Sequence, residues 1–148
     1  MNSLFNSTFE VELRTLLLLS KNKSSPISLD RIIALDFITC YAEDFQIPYE
    51  NLHGENSFMY SELAARKVLF REGIKKAVVD GLVTPVIDNG YKFLLNDVGK
   101  KYTNALKSTY AKNYKEIVAE VHKSFKNYSD EELDSLIYDN AQKSAKRV

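Results

Sequence analysis

Four residues near the middle of the chain, Asp88-Asn89-Gly90-Tyr91, restrict its fold more than any other stretch. Asn-Gly tolerates the two consecutive positive φ angles of a type I′ turn, and here it separates two short apolar runs, Leu82 to Ile87 and Tyr91 to Leu95. The spacing predicts a β-hairpin. Pro85 has no N–H to give a ladder, so its strand belongs at a sheet edge. A lone hairpin is marginal in water and has to lie on an apolar surface. The rest of the chain supplies that surface as helices.

Ser7 and Glu10 stand at capping-box spacing before a helix from about Thr8 to about Asn22. Its apolar residues, Phe9, Val11, Leu13 and Leu16 to Leu19, reach almost all round the cylinder, as in a helix covered on several sides. Lys21 to Ser25 is polar and Pro26 blocks continuation. A second helix, Ser28 to about Phe45, carries Asp30 in its first turn and offers Leu29, Ile32, Ile33, Leu35, Phe37, Ile38 and Tyr41 to a core. Gln46 to Phe58 contains Pro48 and Gly54, lacks a period, and reads as a long loop anchored by Tyr49 and Phe58. The third helix, about Tyr60 to Asp80, aligns Tyr60, Leu63, Phe70, Ile74, Ala77 and Val78, and Gly81 ends it.

After the hairpin, Asn96 caps a helix with Asp97 in its first turn, predicted to last to about Lys126 with a bend near Ser108 and Thr109. Tyr110, Tyr114, Ile117, Val118, Val121 and Phe125 form an apolar stripe along it, with Lys112, Lys115, His122, Lys123 and Lys126 on the other side. Ser129 and Glu132 make a second capping box before a last helix, Asp130 to about Lys143, which uses Leu133, Leu136, Ile137 and Ala141. The expected fold is mainly α. Residues 1–95 form a winged helix-turn-helix core of three helices and a hairpin wing, residues 96–128 a helical extension, and residues 129–148 a C-terminal helix and basic tail.

Composition removes several function classes. A chain of 148 residues buries enough surface to fold without a metal or disulfide staple. Its single cysteine, Cys40, lies in an apolar stretch and reads as a small hydrophobe of a reducing cytoplasm. The run Leu16 to Leu19 is far too short for a membrane span, and the first residues lack the basic and apolar regions of a secretory signal. Twenty Lys and Arg against twenty Asp and Glu leave no bulk excess for neutralising phosphates. The cancellation is local: Asp30 to Asp44 is acidic, while the third helix and Lys100 to Lys126 are basic. Neither His53 nor His122 has ligand partners at metal spacing, and His53 is expected to pack within its loop. Phosphate-binding loops and nucleophile elbows are absent from the sequence. No catalytic residue, cofactor or metal is therefore assigned.

One succession of short matches is family-like. It runs through Phe5-Asn6-Ser7, Glu10, Leu13-Arg14, Leu16, Leu18-Leu19, Leu29-Asp30-Arg31-Ile32, Leu35-Asp36-Phe37, Tyr41 and Asp44-Phe45. It continues with Leu52-His53, Tyr60, Glu62-Leu63, Arg66, Gly81-Leu82, Gly90-Tyr91, Gly99 and Leu106-Lys107-Ser108-Thr109-Tyr110. In this order it resembles the middle component of bacterial three-component ABC-ATPase conflict systems, similar to the accessory subunit of Lamassu-type anti-phage and anti-plasmid systems. The resemblance reaches about Phe125 and leaves the last helix, beyond Ser129, outside it. It implies a small, winged-helix, non-catalytic cytoplasmic subunit. The implied partners are an SMC-like ABC ATPase and an effector, often a nuclease, with DNA contact through the complex and no membrane.

Within that frame Asp30 and Arg31 are assigned to the start of the second helix, and Asp36 to a cation such as Arg14. The back of the third helix carries more apolar surface than a solvated face needs. Arg66, Lys67, Val68, Leu69, Arg71, Lys75, Lys76 and Val79 are accordingly the residues expected to face a partner or DNA. The competing reading is a winged-helix DNA-binding transcriptional regulator, homodimeric through the stripe from Tyr110 to Phe125. Against it stand the long loop before the third helix and a hairpin tip with Asp88 and one nearby cation, Lys92. An enzyme is the weakest of the three.

Overall fold

A computed structural model describes residues 7–22, 25–54 and 59–146. Phe58, expected as a loop anchor, lies outside the described residues. The elements are α1 (Thr8–Ser20), β1 (Ile27–Ser28), α2 (Leu29–Cys40), α3 (Leu63–Val79), β2 (Val83–Ile87), β3 (Tyr91–Leu95), α4 (Asp97–Asn104), α5 (Thr109–Ser124) and α6 (Asp130–Lys146). Short 3-10 turns at Ala42–Phe45 and Met59–Glu62 flank the long loop. The chain is mainly helical with a small three-stranded antiparallel sheet. Among the described residues no helix is long and apolar enough to cross a membrane.

Local capping sets most boundaries. The Oγ atoms of Ser7, Ser28 and Ser108 accept from the N–H groups of Glu10, Arg31 and Ala111, and Asn96 Oδ1 accepts from Gly99. Ser129 and Glu132 cap each other reciprocally at 2.8 and 3.0 Å. Asn89 and Gly90 take φ of 54° and 96°, and the hairpin pairs Ile87 with Tyr91. Pro85 sits on β2, an edge of the order β1-β3-β2.

Three features depart from the expectations. Residues 27–28 pair with β3, Ile27 opposite Phe93 and Ser28 opposite Lys92, although a strand of two residues leaves no period in the sequence. The second helix ends at Cys40 rather than Phe45, the chain tightening into a 3-10 turn closed by left-handed Gln46 at φ 63°. The expected helix from Asn96 to Lys126 is two helices, because the chain leaves helical geometry at Leu106 and Lys107 and Ser108 caps a new start.

The core draws on α1, α2, α3, α5 and α6. Leu16 to Leu19 of α1, Ile32 to Cys40 of α2, Phe70 and Ile74 of α3, and Leu133 and Ile137 of α6 are buried. So are Tyr114, Ile117, Val118, Val121 and Phe125. That stripe packs against α1 and α2. It was the proposed homodimer contact, and its burial in the chain's own core overturns that role.

Candidate functional site

α3 is the element that connects the interior to the candidate surface. At about 100° per residue, Arg66, Phe70, Gly73, Ile74 and Ala77 fall on one arc and Lys67, Val68, Arg71, Lys75 and Val79 on the opposite one. The first set is buried; the second is exposed. Gly73 lets α1 and α3 approach closely, since an added Cβ would meet Val11 Cγ1 at 3.0 Å and the Glu12 backbone nitrogen at 3.2 Å.

The inner arc ends in a buried charge cluster. Asp36 is fully buried, and Arg14 grips it with Nε on Oδ1 at 2.9 Å and Nη2 on Oδ2 at 3.2 Å. Arg66 Nη1 donates to Oδ2 at 2.6 Å and the Tyr114 hydroxyl to Oδ1 at 2.7 Å. Thus α1, α2, α3 and α5 meet at one carboxylate. Each guanidinium also lies over a ring, Arg14 over Phe70 at 5.8 Å and Arg66 over Phe37 at 5.2 Å. Burial would raise the Asp36 pKa, but the attraction of Arg14 and Arg66 outweighs it and holds the value at about 2.

This arrangement keeps the expected Asp36–Arg14 pair and corrects the placement of Arg66. Assigned to the surface with its cationic neighbours, Arg66 is 1% exposed and bound to Asp36. It cannot face a partner. A signal was available: it shares its arc with Phe70, four residues on.

Around the cluster the chemistry is silenced. Burial, and then Asp36, push the Cys40 thiol up to about 12, so it stays protonated. Burial, and then the nearby Arg14 charge, lower His53 to about 3, leaving a neutral ring 3.0 Å from the Tyr110 hydroxyl. His53 thereby reaches beyond its loop to α5. His122, placed on a polar face by the sequence pattern, hydrogen-bonds through Nε2 to the Leu18 carbonyl at 2.9 Å. Among the described residues no group of three His, Cys, Asp or Glu could hold a metal ion.

The outer arc is different. Lys67, Arg71 and Lys75 are exposed and form no ion pair within 4.0 Å among the described residues. Between them lie Val68, 58% exposed, and Val79, 83% exposed. Leu69 is half-buried against the core and Lys76 is spoken for. Its Nζ lies 3.0 Å from Asp80 and 3.8 Å from the buried Glu12 carboxylate. Burial, and then the Asp80 carboxyl beside it, push Glu12 up to about 7. The sequence reading missed this acidic pair.

Arg31 also works differently from its assignment. Its backbone N–H does serve the start of α2, but its guanidinium crosses to α5 and α6. It donates to the Phe125 and Tyr128 carbonyls at 2.8 and 2.7 Å and to Asp130 at 3.1 Å.

A family model described as ABC-three component (ABC-3C) system Middle Component 2 matches residues 4–147. The match takes in α6, against the expectation that the last helix would lie outside the likeness. No curated protein and no solved structure matches the chain.

Proposed function

The chain belongs to the Middle Component 2 family of ABC-three component systems, and on that premise we propose that it is a non-catalytic accessory subunit of a cytoplasmic defence complex. Its role is to bridge an SMC-like ABC ATPase and an effector, in the manner of Lamassu-type anti-phage and anti-plasmid systems, with a nuclease as the effector class. The observation that carries this reading is the outer arc of α3, where Lys67, Arg71 and Lys75, with no ion pair within 4.0 Å among the described residues, stand with the exposed Val68 and Val79.

The element order supports a winged-helix reading of α1, β1, α2, α3 and the hairpin. A short strand between the first two helices pairs with the return strand of the hairpin, giving the order β1-β3-β2. Residues 96–128 are then a helical extension and 129–148 a segment of C-terminal helix and basic tail, the helix itself Asp130–Lys146.

Co-expression with the neighbouring genes tests the proposal. The tagged chain is expected to purify with an ATPase and an effector, and deletion of its gene to abolish protection against phage or plasmid. A chain that elutes alone, or protection that survives the deletion, would refute it.

A further inference from the structure

We propose that the outer face of α3, centred on Lys67, Val68, Arg71, Lys75 and Val79, docks an acidic amphipathic helix of a partner subunit. The inference deepens the accessory-subunit reading and rests on it.

Lys67, Arg71 and Lys75 follow one another at four-residue intervals, so their charges form a row about 12 Å long parallel to the helix axis. Val68, 58% exposed, lies beside that row, Val79, 83% exposed, lies one turn beyond its end, and the exposed Glu72 lies between the two valines. A second helix laid along the row presents carboxylates at the same spacing, four residues apart, and an apolar edge to the valines. The face thus complements one partner chemistry in both charge and hydrophobicity.

Duplex DNA fits the same face less well. Two valines in the contact would be wasted on phosphates. At the hairpin tip Asp88 lies 3.7 Å from Lys92, and the exposed large apolar side chains are Ile87 and Tyr91. Next to Lys67 stands an acidic group, Asp134 with Asp30, Asp130 and Glu131, in which partial burial, and then the charge of Asp30, raise the Asp134 pKa.

The full-length chain, co-expressed with the products of the neighbouring genes, provides the test. A photo-crosslinker, p-benzoylphenylalanine, replaces Val68, and the crosslinked peptide is identified by mass spectrometry. It should come from a partner and carry Asp or Glu at four-residue spacing beside apolar residues. K67E/R71E/K75E should bind that partner about 100-fold more weakly, and the milder K67A/R71A/K75A about 10-fold, with thermal melts like the wild type's.

Several outcomes overturn the docking face while leaving the accessory role intact. One is a complex that tolerates the charge reversal, and another is a crosslink to a basic or uncharged segment. A third is a crosslink between two copies of this chain. A fourth is a reversed variant that keeps its partner but loses retention of a mixed-sequence duplex. If the wild-type chain binds neither neighbouring product, the accessory reading falls and the docking face with it.

Discussion

Asp36 is the residue on which the interior turns. Two buried arginines face one buried carboxylate, so removing its charge leaves two uncompensated cations, whereas removing Arg66 leaves the two-point Arg14 pair neutral. Asp36→Asn is expected to cost about 3–5 kcal/mol and Arg66→Met about 1 kcal/mol or less, measured by urea denaturation. Equal losses would show that the cluster is not organised around Asp36. Proton linkage adds a second check. Asp36 is depressed to about 2 from an ordinary 3.8, so its contribution is present above pH 3.8 and lost as pH falls toward 2. Glu12 has the opposite sign. Raised to about 7 from 4.5, it contributes stability fully below pH 4.5 that disappears as pH rises through 7. Stability should therefore rise with pH at the acid end and decline from about pH 5 to about pH 8. Glu12→Gln, which fixes the uncharged form, should remove that decline and stabilise the protein at about pH 8 by roughly 1–2 kcal/mol. An unchanged pH profile in this variant would place the decline elsewhere.

At the scale of elements, what was legible in the sequence was what local chemistry decides. Ser7, Ser28, Asn96 and the Ser129/Glu132 pair marked helix starts because a capping side chain needs a backbone N–H two or three residues away and nothing further. Asn89-Gly90 marked the hairpin for the same reason. The strand at Ile27 and Ser28 was hidden because its pairing to Phe93 and Lys92 is decided across the fold. Arg66 was misplaced because the carboxylate that permits its burial lies 30 positions away, on another helix. The outer arc of α3 was legible as a pattern, and the four-residue step from Arg66 to Phe70 was the signal that set Arg66 apart from Lys67 and Val68. Two glycines test whether close approach of elements is as tight as it looks. Gly73→Ala gains about 1 kcal/mol of helix propensity but presses on Val11 and Glu12, where side-chain and backbone adjustment can relieve part of the contact. Gly99→Ala would drive its Cβ into the backbone carbonyl oxygen of Leu82, which cannot swing aside. The second change is expected to destabilise by about 2–3 kcal/mol and by more than the first, read from urea midpoints. The reverse order would mean that α4 sits less firmly on the hairpin than α3 on α1.

For the whole molecule the deciding question is whether α6 is an appendage or part of the fold. Leu133 and Ile137 are 0% and 5% exposed, sealed against the core. The first turn of α6 is tied to the start of α2, where Ser28 Oγ donates to Asp130 at 2.6 Å and Arg31 donates to the same carboxylate. Ten residues on, Asn140 Nδ2 donates to the Asp44 carbonyl at 2.9 Å, just past the end of α2. The two helices therefore run side by side in the same direction. A helix tied at its first turn and at Asn140, with Leu133 and Ile137 buried between, belongs to the folding unit, in keeping with a family match that runs to residue 147. Ending the chain after Ser129 removes the buried Leu133 and Ile137, worth about 2 kcal/mol each, which for a domain of this size corresponds to a fall in Tm of about 10 °C. Leu133→Ala alone should cost about 2–4 kcal/mol, and Asn140→Ala, which removes one exposed hydrogen bond, about 1 kcal/mol or less. Thermal melts followed by circular dichroism distinguish the cases. A truncated chain that melts with the intact one would make α6 a detachable arm; a lowered, still cooperative transition would make the chain one folding unit with its shape already set.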